Sequence, residues 1–83
     1  MKLENDNYQR QKLQNLLKQI RRDKKIRQVE LAKQLNVPQS FVSKYETGER
    51  RLDILELRQI CKSLNISLDD FIRELEETLN ETK

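Results

Sequence analysis

Apolar residues recur at helical spacing near the start of the chain and indicate a first helix. They occupy positions i, i+3, i+4 and i+7, which share one helix face: Leu13, Leu16, Leu17 and Ile20. The opposite face carries basic residues, so the pattern predicts an amphipathic helix from about residue 7 to about residue 24. Asp6 and Gln9 have the spacing of a capping box at its start.

Two short helices joined by a tight turn are predicted between residues 28 and 48. The first runs from about Gln28 to Leu35 and ends before Asn36, a residue type that tolerates left-handed backbone. The second has Pro38 in its first turn, where the missing N–H has no cost, and ends at Gly48. Their inward faces are apolar: Val29, Leu31, Ala32, Leu35, Phe41, Val42 and Tyr45.

Two further helices complete the predicted fold. Asp53 and Glu56 form a second capping-box pattern before a helix from about Ile54 to Leu64, and Ser67 with Asp70 marks the start of the last helix. The two apolar stripes are Leu57, Ile60, Cys61 and Leu64, then Leu68, Phe71, Ile72, Leu75 and Leu79. We therefore expect an all-α, compact five-helix domain over residues 7–79, between a polar lead-in (1–6) and a polar tail (80–83).

Composition supports one small helical domain and adds a charge asymmetry. The chain has 83 residues, 37% of them charged and 5% aromatic. Residues 1–52 contain 13 Lys and Arg against 6 Asp and Glu, a net charge of +7, whereas residues 53–83 contain 4 against 8, a net charge of −4. A basic face for a polyanion and an ordinary solvated surface both fit this distribution.

Several classes of protein are excluded by what the chain lacks. One Cys and no His rule out a disulfide framework and a Cys/His zinc site. Without a nucleophile beside a base or a Gly-rich phosphate loop, we expect no enzyme, no metal and no cofactor. No apolar run approaches the roughly 18 residues of a membrane span, and no signal peptide is visible. We expect a cytoplasmic protein that binds no small-molecule ligand.

The segment from Gln28 to Tyr45 meets the physical requirements of a helix-turn-helix. Two helices that cross steeply need a small side chain at the crossing point, which Ala32 supplies, and a turn residue that accepts positive φ, which is Asn36. The segment also resembles the Xre/Cro family of phage-repressor-like DNA-binding domains, over residues 27–71: RQVELAKQLNVPQSFVSKYETGERRLDILELRQICKSLNISLDDF. Two positions depart from the family pattern, because Arg27 replaces a capping Ser or Thr and Asn36 replaces Gly.

The polar face of the third helix is the predicted reading surface for DNA. Gln pairs bidentately with adenine, Lys donates to guanine, and Ser serves either base. We predict base contacts from Gln39, Ser40, Ser43 and Lys44. The resemblance implies a phosphate contact at Gln28, and further phosphate candidates are Arg27, Thr47, Arg50 and Arg51. It also implies a buried ion pair between Arg21 and Glu46 that orients this helix.

The apolar stripe of the last helix is longer than the core of so small a domain requires. This excess predicts a dimer seam with Phe71, Leu75 and Leu79, although the stripe could instead pack on the first helix. The fourth helix and the loops around Leu52 and Ile66 are the alternative seams. Cys61 and Tyr45 are expected to lie in the core, with Phe41 partly buried.

These features together predict a dimeric transcriptional regulator, a repressor, that binds an inverted-repeat operator in double-stranded DNA through the major groove. Because the chain ends soon after the DNA-binding unit, we expect regulation through protein concentration. The alternative is an antitoxin-type protein-binding module that also represses its own operon. RNA binding is disfavoured because exposed aromatic platforms are absent from the sequence pattern.

Overall fold

A computed structural model of the chain describes residues 6–80 and shows five α-helices there. They are α1 (Asp6–Asp23), α2 (Gln28–Leu35), α3 (Gln39–Thr47), α4 (Ile54–Ser63) and α5 (Leu68–Asn80). The all-α, five-helix prediction is confirmed for these residues. The predicted lead-in and tail lie almost entirely outside the described residues, and so does the side chain of Asp6, on which the first capping box depends.

Three of the helices end in the same way, with one residue in left-handed conformation followed by an apolar residue. Lys25, Asn36 and Asn65 each have φ of 59°. The next residue donates its backbone N–H to a carbonyl five positions earlier: Ile26 to Arg21, Val37 to Ala32 and Ile66 to Cys61, at 3.0–3.1 Å. This Schellman arrangement satisfies the last carbonyls of each helix and turns the apolar residue back toward the core. The predicted role of Asn36 is confirmed, and α3 ends at Gly48 with φ of 90°.

Helix starts use side-chain caps where the sequence provides them. Asp53 Oδ1 accepts the backbone N–H of Glu56 at 2.7 Å, and Glu56 Oε1 accepts that of Asp53 at 2.9 Å, so the predicted capping box is present. Ser67 Oγ accepts the N–H of Asp70 at 3.0 Å. Pro38 lies one position earlier than predicted, at the N-cap of α3. Its φ of −64° suits the chain entering the helix.

All five helices contribute buried residues to one core. α1 packs against α3 and α5, α2 packs against α3 and α4, and α4 packs against α5. Leu17, Leu31, Val42, Leu64 and Phe71 are fully buried. Cys61 is also fully buried, as predicted, and burial raises the pKa of its thiol to about 11. Among residues 6–80, no helix is long and apolar enough to cross a lipid bilayer.

Candidate nucleic-acid interface

α3 has one face in the core and one face in solvent along its whole length. Val42 and Tyr45 are 0% and 1% exposed, which fixes the rotation of the helix about its axis. The opposite side chains are exposed or, for Ser43, half-buried: Gln39, Ser40, Ser43, Lys44 and Thr47. The four predicted base-reading residues therefore share one surface of a single short helix. Phe41 is half-buried, as predicted, and contacts Tyr45 edge to face at 5.9 Å between ring centroids.

A buried ion pair connects α1 to this helix. Arg21 Nε lies 2.7 Å from Glu46 Oε2, and Arg21 Nη2 lies 3.1 Å from Glu46 Oε1. Arg21 Nη1 donates to the carbonyl of Ile26 at 2.7 Å, so the guanidinium is hydrogen-bonded on every side that it presents to the protein. The pair expected between Arg21 and Glu46 is thus present in bidentate form. Its two parallel hydrogen bonds connect α1 to α3 inside the protein.

The same carboxylate continues the network to the start of α2. Gln28 Nε2 donates to Glu46 Oε1 at 2.9 Å, and Gln39 Nε2 lies 3.5 Å from Gln28 Oε1. The first residues of α2 and α3 are therefore aligned side by side, with their amides half-buried or exposed. A buried ion pair in this way positions two amides that face solvent.

The N-terminus of α2 lacks a side-chain cap from Arg27, as its sequence predicts. Glu30 compensates, because its Oε1 accepts the backbone N–H of Arg27 at 2.7 Å, and this hydrogen bond lowers the pKa of the Glu30 carboxyl. The Arg27 side chain is 76% exposed and lies 3.5 Å from Glu30. Its guanidinium remains accessible beside the first turn of α2.

The connection between α3 and α4 contains two adjacent arginines in different environments. Arg51 is exposed, at the edge of an open cleft of about 360 Å³ that Asn7, Arg10, Gln11, Gln14 and Gly48 also line. Arg50 lies 2.7 Å from Glu56 Oε2 and 4.4 Å from the Phe41 ring centroid. Sequence reasoning found both cations, but nothing in the local pattern indicated that one of them is engaged within the protein.

Comparison with known proteins identifies the family. A helix-turn-helix family model matches residues 17–71. The chain belongs to the XRE-family helix-turn-helix DNA-binding regulators. Its fold is similar to that of an XRE-family like protein from Pseudomonas syringae pv. tomato str. DC3000, with 40% identity, coverage of 87% of this chain and 88% of that chain, and a TM-score of 0.82.

The regulator also resembles a protein described as a restriction–modification controller. The wild-type controller C.Esp1396I is 28% identical, with coverage of 89% of this chain and 96% of that chain and a TM-score of 0.82. A point mutant of this controller is 29% identical, with coverage of 92% of this chain and 96% of that chain and a TM-score of 0.84. No sequence among the curated proteins matches the chain. These findings confirm a DNA-binding regulator and not an enzyme.

In this XRE-family regulator the exposed apolar surface differs from the one predicted. Phe71, expected at the dimer seam, is fully buried in the chain's own core and has no surface to offer, which corrects that expectation. Leu75 and Leu79 are half-buried. Among residues 7–80, the exposed large apolar residues are Leu55 at 70%, Ile54 at 59% and Ile72 at 38%. Ile54 and Leu55 escaped sequence reasoning because two apolar residues in a first turn form no periodic pattern.

Proposed function

We propose that this regulator is a homodimeric repressor that binds an inverted-repeat operator by placing α3 of each copy in the major groove. The observation that carries the proposal is the exposed polar face of α3, held in place by the buried pair of Arg21 and Glu46. A recognition helix needs both properties, because base readout depends on side chains that are accessible and accurately placed. In this proposal the repressor binds DNA in the cytoplasm and needs no effector ligand.

Base readout is assigned to Gln39, Ser40, Ser43 and Lys44. Gln39 lies at the start of α3 and its amide contacts that of Gln28 at 3.5 Å, so the two amides form one hydrogen-bonding surface. An aligned amide is suited to bidentate pairing with adenine. Lys44, one turn further along, is suited to the acceptors of guanine.

Phosphate contacts are assigned to both ends of the reading surface. Gln28 and Arg27 lie at the N-terminus of α2, where backbone N–H groups and the helix dipole favour an anion. Thr47 and Arg51 lie at the other end, beside the C-terminus of α3. Arg50 belongs to the same predicted set, but its pairing with Glu56 gives it a second interpretation.

The dimer seam is assigned to the exposed apolar residues of α4 and α5. Ile54, Leu55 and Ile72 are the large apolar side chains that the described residues expose most, with Leu75 and Leu79 beside them on α5. The acidic residues of the outer face of α5, among them Glu74, Glu76 and Glu77, repel phosphate, so this side of the molecule faces away from DNA. A second copy that covers the apolar residues places the two α3 helices on one side of the dimer.

Selection of bound sequences from random duplex DNA tests the proposal. The selected sites should be inverted repeats with half-site centres about one helical turn apart, roughly 34 Å. Sedimentation at micromolar concentration should give twice the 10.0 kDa mass of the chain. Transcription from a promoter that overlaps the selected site should fall when the protein is expressed. Selection of single, unrelated half-sites by a monomer would refute the dimeric model.

The resemblance to restriction–modification controllers suggests the genes that the repressor regulates. The structural similarity covers nearly the whole length of both this chain and the solved controller. We propose that the present protein takes part in the same kind of transcriptional regulation as such a controller. In this model the concentration of the protein itself determines the occupancy of the operator. Deleting the operator upstream of its own gene should then raise expression of that gene.

A further inference from the structure

The side chain of Arg50 contacts both α3 and α4, two helices whose backbones do not approach each other closely within the described residues. Its guanidinium carbon lies 4.4 Å from the centroid of the Phe41 ring on α3. Its Nη2 donates to Oε2 of Glu56, in the first turn of α4, at 2.7 Å. One arginine therefore links the recognition helix to α4.

A groove separates these two helices. Within the described residues, α3 packs against α1 and α2, whereas α4 packs against α2 and α5. Between them lies an open groove of about 180 Å³ with mostly apolar walls, lined by Leu35, Val37, Phe41, Glu56, Gln59 and Ile60. Phe41 and Glu56 both line this groove, and Arg50 contacts both of them, so its side chain bridges the two helices beside the groove.

Both ends of the bridge are fixed. Glu56 uses its other oxygen, Oε1, to cap α4 by accepting the backbone N–H of Asp53 at 2.9 Å. Phe41 rests edge to face against Tyr45, which is 1% exposed. The backbone N–H of Arg50 donates to the carbonyl of Lys44 at 3.2 Å, so the main chain at this point is anchored to α3. Movement of α3 relative to α4 would break contacts at both ends.

We propose that Arg50 is a positioning residue, which fixes the recognition helix relative to the dimer seam and thereby sets the half-site spacing that the dimer accepts. This inference rests on the proposed function, in which Ile54 and Leu55 contribute to the seam. Those residues share the first turn of α4 with Glu56. The contact between Arg50 and Glu56 therefore gives each recognition helix a direct link to the seam, in addition to the core that α3 and α4 share with α2. A rigid path makes spacing part of operator specificity.

The rival role of Arg50 is the phosphate contact predicted from the sequence, and Glu56→Gln separates the two. Gln at this position also completes a capping box, so the substitution preserves the start of α4 and removes the charge that holds Arg50. If Arg50 is a positioning residue, the loss of its partner loosens α3 against α4. If Arg50 is a phosphate ligand, its release and the loss of a negative charge tighten DNA binding.

The experiment measures affinity and its salt dependence for the full-length chain on three duplexes. They are the selected operator, the same operator with two base pairs inserted between its half-sites, and a single half-site. The variants are Arg50→Ala and Glu56→Gln, with Arg51→Ala and Glu49→Gln as matched controls for the neighbouring cation and for the loss of a nearby negative charge. Circular dichroism melts confirm that each variant is folded.

Wild-type protein should prefer the selected spacing by about tenfold or more, because two inserted base pairs rotate one half-site by about 70°. Arg50→Ala and Glu56→Gln should each reduce this preference by about threefold or more, with affinity for the single half-site and the salt slope nearly unchanged. Arg51→Ala should instead weaken binding to all three duplexes and reduce the salt slope by about one unit.

Three results would overturn the positioning role. The first is an Arg50→Ala variant that behaves like Arg51→Ala, with uniform weakening and a smaller salt slope. The second is tighter operator binding by Glu56→Gln than by Glu49→Gln. Wild-type protein that binds the operator but ignores spacing would also refute the inference alone. Wild-type protein that selects no sequence at all would refute the proposed function.

Discussion

The two halves of the molecule, α1 to α3 and α4 to α5, differ in which residues are buried and which are exposed. In the first half one ion pair is buried, with Arg21 and Glu46 8% and 7% exposed, and the outer face of α3 is polar. In the second half an ion pair such as that of Arg73 and Asp70 is exposed and 3.6 Å long, and apolar side chains reach the surface. A surface that meets DNA must be polar and rigidly oriented, whereas one that meets another copy gains from exposed apolar area.

Breaking the buried ion pair should have the largest effect on stability. Arg21→Ala leaves the carboxylate of Glu46 buried with only Gln28 as a side-chain donor, so we expect the free energy of unfolding to fall by about 3–5 kcal/mol. Urea denaturation followed by circular dichroism measures this change. Arg73→Ala is the matched control in the other half and should leave the denaturation midpoint unchanged, because its pair is solvent-exposed. A loss below about 1 kcal/mol for Arg21→Ala would indicate that water reaches Glu46 and replaces the arginine.

Introducing a charge at the exposed apolar residues should abolish the dimer without unfolding the chain. Leu55 is 70% exposed, so Leu55→Asp disturbs no core contact, yet a carboxylate at a covered seam should weaken dimerisation by about a hundredfold or more. Sedimentation equilibrium gives the dissociation constant, and a thermal melt at low concentration reports the monomer's stability.

Leu75→Asp is the companion variant for this test, because Leu75 is half-buried and packs against the core. It should lower the melting temperature as well as any dimer affinity. A folded monomer from Leu75→Asp combined with an intact dimer from Leu55→Asp would move the seam to α5 and support the position expected from the sequence pattern.

The contrast between these two leucines shows what the sequence pattern contains and what it omits. Helix boundaries were predictable because Asn36 and Gly48 act through their own backbone conformation, and Asp53 acts through a side-chain hydrogen bond to a residue three positions later. The complete burial of Phe71 was not, because periodicity places it on an apolar face without indicating that α1 and α4 both pack against α5. The partner of Arg50 was equally hidden, since Glu56 lies six positions later, on the far side of a non-helical connection and the start of α4.

Substitutions on the reading surface should change sequence preference and leave stability unchanged. We expect Gln39→Ala and Lys44→Ala each to cost about 1–3 kcal/mol on the selected operator and much less on random duplex. Both side chains are exposed, so the melting temperature should not change. Fluorescence titration against the two DNAs gives the difference. Lys62→Ala on α4 is the control, an exposed cation of the other half that should affect neither. Equal losses on both DNAs would assign Gln39 and Lys44 to the phosphate backbone.

The smallest expected effect comes from a turn that the two halves share. α1 and α4 both end with a left-handed residue followed by an isoleucine, but the residue is Lys25 in the first case and Asn65 in the second. Lysine is strained at φ of 59°, whereas asparagine tolerates it, so Lys25→Asn should stabilise the fold by a few tenths of a kcal/mol, up to about 1 kcal/mol. Asn65→Lys should destabilise it by a similar amount. Denaturant titrations of both variants measure these changes in the free energy of unfolding.

Neither substitution should remove a side-chain contact that would obscure the effect of backbone strain. Lys25 is exposed, and the contact of Lys24 with Asn65, at 3.5 Å, is made to the backbone carbonyl of Asn65. Destabilisation by Lys25→Asn would show that the Lys25 side chain contributes more to the folded state than its backbone strain costs.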